Sequence, residues 1–153
     1  MKQVDFYLIS NSVKFARFKL ASRLANKLQN MGKSLLLVTN NAKETEELDT
    51  LMWSYGDTSF VAHETIHNIN TENEGQASSF IHLAEHQSVD SVVLDRNYDV
   101  LLNLCDEVPV FSHHFDRIAE IIEADESSKA AGRSRYKRYK SEGFELLMHD
   151  ISL

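Results

Sequence analysis

Short apolar runs in this sequence alternate with segments whose apolar residues recur every three or four positions. This alternation is the feature that most limits the folds that the chain can adopt. Residues Gln3–Ile9 alternate apolar and polar side chains, a pattern that predicts a strand. Residues 34–39 form a nearly continuous apolar run, which is typical of a strand covered on both faces. Apolar residues recur at steps of three and four after each run, so a helix is predicted to follow each strand. The order strand, helix, strand, helix, strand over about the first sixty residues predicts a mostly parallel sheet flanked by helices.

The predicted helix boundaries carry their own signals. Asn11 or Ser12 is a candidate N-cap for the first helix. Gly32 sits where a left-handed residue would end that helix. Asn41, followed three residues later by Glu44, resembles a capping box at the start of the second helix. Each signal falls between a predicted strand and a predicted helix, as the alternating fold requires.

Length and composition agree with one folded unit. A chain of 153 residues, 42% of them hydrophobic, fits one domain and can bury a core without crosslinks. We therefore expect a single-domain, Rossmann-like three-layer α/β fold over residues 1–153. Cys105 is the one cysteine, which excludes an internal disulfide. No apolar run is long enough to span a membrane, so a cytoplasmic protein without membrane contact is expected.

The second half of the chain predicts further strands and two helices. The polar stretch at 67–77 is predicted to be a loop. Gly143 is expected to end the last helix, and residues 144–148 fit either an edge strand or an extended tail. The predicted elements between these segments are strands at 79–84, 91–95 and 100–104, and helices at 115–123 and 127–141.

Motifs for catalysis or for metal binding fail on spacing and context. The Gly-Lys-Ser triplet at 32–34 follows a predicted helix and precedes a strand, the reverse of a phosphate loop. The H-x-x-E-H pattern at 82–86 falls partly on a predicted strand, so its histidines are expected at the surface. Cys105 is expected to be a small buried hydrophobe. We predict no catalytic residue, cofactor or metal; the alternative is a Rossmann-like nucleotide- or cofactor-dependent transferase.

Charge distribution singles out the last predicted helix. The net charge is −7, yet six of the sixteen Lys and Arg residues lie in 129–140, a segment without Asp or Glu. At about 100° per residue, Arg135 and Arg138 point away from the other basic residues. One arc of about 100° contains Lys129, Arg133, Tyr136, Lys137 and Lys140. Such a patch on an acidic body favours a local binding surface, the alternative being a solvated face near a helix C-terminus, and it disfavours direct binding to DNA.

This helix and several earlier segments of the chain resemble a known family. Residues 133–144, Arg-Ser-Arg-Tyr-Lys-Arg-Tyr-Lys-Ser-Glu-Gly-Phe, are similar to the C-terminal motif of the DNA polymerase III chi subunit family. That motif has the form Arg-x-Arg-aromatic-basic-x-Tyr-Arg-x-x-Gly-aromatic. Residues 4–8, 48–63 and 101–110 resemble three further segments of the family, with Ala62 where a proline is usual. Residues 64–95 carry no such resemblance.

The resemblance implies a non-catalytic adaptor in DNA replication, with a Rossmann-like fold and no nucleotide chemistry. One surface would bind the psi subunit of the clamp loader, and another the acidic C-terminal tail of single-stranded-DNA-binding protein. The family's psi-binding position falls on Phe60, whereas Trp53 is either a further contact residue or part of the core. The resemblance leaves open whether a helicase also uses the psi-binding surface. The tail-binding positions are Lys129, Arg133, Tyr136 and Lys137.

Overall fold

A computed structural model describes residues 2–54, 63–68 and 81–153, and its strands all belong to one sheet. The strands are β1 (Gln3–Ile9), β2 (Leu35–Thr39), β3 (His63–Thr65), β4 (Ile81–Glu85), β5 (Val100–Asn103), β6 (Arg117–Ile122) and β7 (Glu145–Ile151). The helices are α1 (Ala16–Asn30), α2 (Ala42–Ser54), α3 (Ser91–Leu94) and α4 (Glu126–Ser141). The strand order is β3-β4-β2-β5-β6-β1-β7, and every pairing is parallel.

Helices cover both faces of this sheet and create two separate cores. Leu20 of α1 and Leu48 of α2 are buried in a cluster on one face. Val93 of α3 and Tyr139 of α4 are buried in the cluster on the other face. β2 is buried along its whole length and contributes side chains to both clusters. The predicted three-layer α/β fold is therefore confirmed.

The structure supports two of the predicted helix-boundary signals, at Asn41 and Gly32, and contradicts the third. Asn41 accepts a hydrogen bond from the Glu44 N–H at 2.9 Å, which is one half of a capping box. The Glu44 side chain accepts from the Asn40 N–H at 3.0 Å, one residue before the position that the complete box requires. Gly32 has the predicted left-handed backbone, with φ 71°. The N-cap predicted at Asn11 or Ser12 is wrong, because α1 begins at Ala16. The Asn11 side chain instead pairs with the Leu153 backbone, donating to its carbonyl at 2.7 Å and accepting from its N–H at 2.9 Å.

Two predicted elements in the second half have the wrong type. The segment predicted as a helix at 115–123 contains β6, whose residues 118–122 are all buried. The segment predicted as a strand at 91–95 contains α3, where the Asp90 side chain accepts a hydrogen bond from the Val93 N–H at 3.0 Å. The final helix is confirmed as α4, and residues 145–151 form the edge strand β7 beside β1.

The buried carboxyl of Glu85 joins the end of β4 to its surroundings. Thr45 of α2 and Ser88 donate hydrogen bonds to it at 3.1 and 2.7 Å, and His67 Nε2 lies 2.6 Å from Oε1. Burial alone would raise the pKa of Glu85, but the hydrogen bonds from Ser88, His67 and Thr45 outweigh burial and lower this pKa to about 2. The ionised carboxylate therefore stabilises the folded chain.

We predict that Glu85 makes stability sensitive to acid. Because the folded pKa of Glu85 lies below its ordinary value of 4.5, its contribution is complete above about pH 5 and declines as the pH falls towards 2. Urea unfolding of the wild type and of Glu85→Gln should differ by up to about 3 kcal/mol at pH 7. The gap should narrow steadily down to pH 3. A gap that does not change with pH would contradict this assignment.

Candidate functional site

The helix α4 is seated on the sheet by three buried positions, one turn apart: Gly132, Arg135 and Tyr139. Gly132 lies against β6 so closely that a Cβ there would be 2.4 Å from Ile122 Cδ1. At the start of α4, Asp125 accepts a hydrogen bond from the Ser128 N–H at 3.0 Å. These contacts fix which face of α4 is turned to solvent.

Arg135 is the side chain that ties α4 to the centre of the sheet. Its Nε donates to Glu120 Oε1 at 2.8 Å, and its guanidinium also donates to the Asp106 carbonyl at 3.0 Å. The other Glu120 oxygen accepts from the Tyr139 hydroxyl and from Asn103 Nδ2, both at 2.7 Å. The Glu120 residue is 0% exposed and Arg135 is 7% exposed. Arg135 points away from the basic arc, as predicted, but into a buried ion pair.

The hydrogen-bond donors around Glu120 favour the ionised form of its carboxyl group. Burial raises the pKa of the Glu120 carboxyl, while Arg135, Asn103 and Tyr139 favour its ionised form. Every contact to its two oxygens comes from a donor, so a proton on either oxygen would disrupt one of them. Burial and the neighbouring Glu120 raise the pKa of Tyr139, which keeps its hydroxyl protonated and donating.

On the solvent side of α4 the structure brings the predicted tail-binding residues together. Lys129, Arg133 and Lys137 are exposed, as is Lys140. Lys129 Nζ lies 4.0 Å from Glu126, a contact between two exposed side chains that contributes little. Within the described part of the chain, no ion pair involves the other three cations of this arc. Their charge is available to an incoming anion.

An apolar ledge that sequence reasoning missed lies beside these cations. Tyr136 is half-buried, with its ring centroid 5.5 Å from that of Phe6 in β1. Met148 on the edge strand β7 is in register with Phe6, so it lies on the same face of the sheet, and it is 50% exposed. Leu146 lies two residues earlier on that face and is half-buried. We call Tyr136, Leu146 and Met148 the apolar ledge. The spacing of Leu146 and Met148, two residues apart in the sequence, could have indicated that both lie on one face of a strand.

Of the two residues predicted to bind psi, the structure describes Trp53. Trp53 is in the last turn of α2, at the opposite end of the strand order from β7, and it is 52% exposed, so it is not a core residue. Its indole N–H donates to Asp49 at 3.2 Å, and its ring centroid is 4.4 Å from that of His63. Phe60 lies outside the described residues.

Two other residues considered for catalysis or metal binding, His82 and Cys105, are both buried. His82 was expected at the surface but is buried on β4, where it hydrogen-bonds the Tyr98 hydroxyl. Cys105 is buried as predicted, and burial raises the pKa of its thiol to about 12, which keeps it unreactive. Among residues 2–54, 63–68 and 81–153, no cluster of three or more His, Cys, Asp or Glu could hold a metal. Over the same residues, no helix is long and apolar enough to cross a membrane.

Comparison with known proteins gives consistent matches along the chain. A family model described as DNA polymerase III chi subunit, HolC, matches residues 1–147. The chain is 29% identical to DNA polymerase III subunit chi of Pseudomonas aeruginosa, over 99% of this chain and 98% of that protein. It is 26% identical to the Haemophilus influenzae protein of that name, over 98% of both chains. For the Escherichia coli protein the identity is 27%, over 95% of this chain and 96% of that one.

A solved structure with the same fold is far more distant in sequence. The crystal structure of T4 UvsW superposes with a TM-score of 0.70 at 11% identity. The match covers 98% of this chain and 41% of that one, so this chain spans less than half of UvsW. At this level of identity the likeness concerns the fold alone.

We predict that Arg135 stabilises the fold. Arg135→Ala leaves Glu120 as a buried, unpaired charge and should lower the free energy of unfolding by about 3–5 kcal/mol. Arg138→Ala is the matched control, because Arg138 is an exposed cation on the same helix, paired with Glu142 at 3.2 Å. That control should stay within about 0.5 kcal/mol of wild type in urea denaturation. Equal effects of the two variants would show that the buried pair does not hold α4.

Proposed function

The chain belongs to the DNA polymerase III chi subunit family, and from this premise we propose that it is a non-catalytic adaptor of the holoenzyme. It would link the clamp loader, through psi, to the acidic C-terminal tail of single-stranded-DNA-binding protein. Membership of the family gives the accessory role in replication. We further propose which two partners the protein binds and which residues bind them. We also propose that it is a single-domain protein of the cytoplasm.

The observation that carries the tail-binding proposal is the row of exposed cations on α4 next to the apolar ledge. A peptide tail that is acidic, and that ends in an apolar residue with a free carboxylate, needs both surfaces at once. Arg133 lies at the centre of the arc, with Lys129 and Lys137 one turn away on either side. The ledge residue Met148 offers an exposed apolar side chain on the adjacent strand.

Arg133 is the strongest candidate for a directional contact. A guanidinium can donate two parallel hydrogen bonds to one carboxylate, whereas a lysine ammonium acts as a point charge. Arg135, the nearest alternative, is committed to Glu120 inside the protein. Lys129 and Lys137 would form the rim of the site and attract the acidic tail electrostatically. Dissolved salt would screen this attraction, because both side chains are exposed.

We predict that Arg133→Ala weakens tail binding by about 2 kcal/mol, the cost of truncating a charge-assisted contact. Lys129→Ala and Lys137→Ala should cost less, and their effect should fade with added salt. Arg138→Ala removes the same charge from the same helix outside the arc and is the control. The measurement is calorimetric titration with a synthetic acidic peptide ending in an apolar residue, at two salt concentrations.

Two comparisons separate this site from general charge attraction. Met148→Ser removes apolar surface without changing charge, and it should weaken binding at both salt concentrations. Amidation of the peptide C-terminus should weaken binding to the wild type far more than binding to Arg133→Ala, if Arg133 meets that carboxylate. Equal losses for Arg133→Ala and Arg138→Ala would refute the arc as the site.

The psi-binding surface is proposed at the other end of the molecule. Trp53 presents an exposed indole on α2, and large aromatic side chains are enriched among the residues that dominate protein interfaces. Phe60 follows α2 in the sequence at the family's psi-binding position. The separation of this surface from α4 would let one molecule hold both partners. We propose no direct contact with DNA, and a helicase that used the Trp53 surface would compete with psi.

We predict that Phe60→Ala weakens binding of psi by about 2 kcal/mol, as for an aromatic anchor. The acidic peptide should bind this variant as tightly as the wild type, because the tail site lies on α4. Titration of each partner separately, with a thermal melt to show that the fold survives, tests both statements. Normal psi binding, or an unfolded variant, would assign Phe60 to the core instead.

A further inference from the structure

The indole of Trp53 is held by two neighbours although half of the residue faces solvent. Asp49, one turn earlier on α2, accepts the indole N–H at 3.2 Å. The same Asp49 oxygen lies 2.9 Å from His63 Nε2, which donates to it because a carboxylate oxygen only accepts. The His63 ring also lies against the indole, with centroids 4.4 Å apart and planes inclined at 38°. The three side chains therefore contact one another in a closed triangle.

This triangle joins two successive elements of the fold, a helix and a strand. Asp49 and Trp53 belong to α2, whereas His63 is the first residue of the edge strand β3 and is 3% exposed. Because His63 is fixed in the sheet, it gives the indole a rigid surface to lie on. The hydrogen bond to Asp49 then restricts rotation of the ring about its side-chain bonds. The exposed face of Trp53 is thus presented in a defined orientation.

We propose that Asp49 and His63 are positioning residues that preorganise Trp53 for contact with its protein partner. The inference deepens the proposed function, since it rests on Trp53 being part of the psi-binding surface. Binding that must first immobilise a side chain loses about 0.5–1.5 kcal/mol of affinity for each one ordered. An indole already held in place avoids that loss. Asp49 and His63 need not touch psi to raise its affinity.

The chain carries a single tryptophan, so intrinsic fluorescence reports on Trp53 directly. In the wild type, time-resolved anisotropy should decay mainly with the tumbling of the whole protein. Asp49→Ala should add a fast component on the picosecond-to-nanosecond scale of free side-chain rotation. Asp49→Asn keeps an oxygen that accepts the indole N–H and should restore the slow decay. Glu47→Ala, an exposed acidic residue on another face of α2, should leave the decay unchanged.

The same variants are then titrated with psi. Asp49→Ala should weaken psi binding roughly three- to tenfold, the range expected for an ordering cost of this size. Asp49→Asn should recover most of the affinity, and Glu47→Ala should bind as the wild type does. Trp53→Ala should lose about thirtyfold or more. In the Trp53→Ala background, adding Asp49→Ala should cause little further loss, because no indole remains to be positioned.

The outcomes separate the inference from the function on which it rests. If Trp53→Ala binds psi normally, the proposed role of Trp53 in the interface fails, whatever the anisotropy shows. If Trp53→Ala weakens binding but Asp49→Ala does not, the interface stands and the positioning role is refuted. A large fast anisotropy component in the wild type would also refute it. Thermal melts that match the wild type exclude loss of the fold as the cause in each case.

Discussion

The buried carboxylate of Glu120 is the interaction on which the rest of the structure depends. It lies in the middle of a parallel sheet at 0% exposure, where an unpaired charge would cost several kcal/mol. Arg135, Tyr139 and Asn103 satisfy it, and two of these three come from α4. The hydrogen bonds that Arg135 and Tyr139 donate to Glu120 therefore fix the position of α4 and its rotation about its own axis. Because Arg135 and Tyr139 face the sheet, the basic residues Lys129, Arg133 and Lys137 face solvent.

The sequence predicted the elements that a clear local pattern marks, and it failed where an element is very short or where its apolar residues fit the wrong period. The elements β1, β2, α1, α2 and α4 follow their sequence patterns closely. β6 did not, because a strand buried on both faces has no alternation, and its isoleucines happen to repeat at helical spacing. α3 was missed because four residues, capped by Asp90, are too few to show a helical period.

The candidate sites show the same division. A helical wheel was sufficient to group Lys129, Arg133 and Lys137 on one face, since that grouping is a local property of α4. It could not reveal that Arg135 has a buried partner, or that Met148 and Tyr136 both neighbour Phe6, since both facts arise from residues brought together by the sheet. The contact of Asp49 with His63 likewise joins segments that no sequence period relates.

The place of β1 in the sheet has a consequence for synthesis of the chain. β1 is synthesised before the other described strands, yet its two neighbours are β6 and β7, which end at Ile122 and Ile151. On the ribosome, β1 has no neighbouring strand until β6 has emerged, so it stays unpaired longer than any other described strand. The last crossover to form carries α4 and the apolar ledge. A nascent chain therefore acquires the surface proposed for the acidic tail only after β7 has emerged and paired with β1.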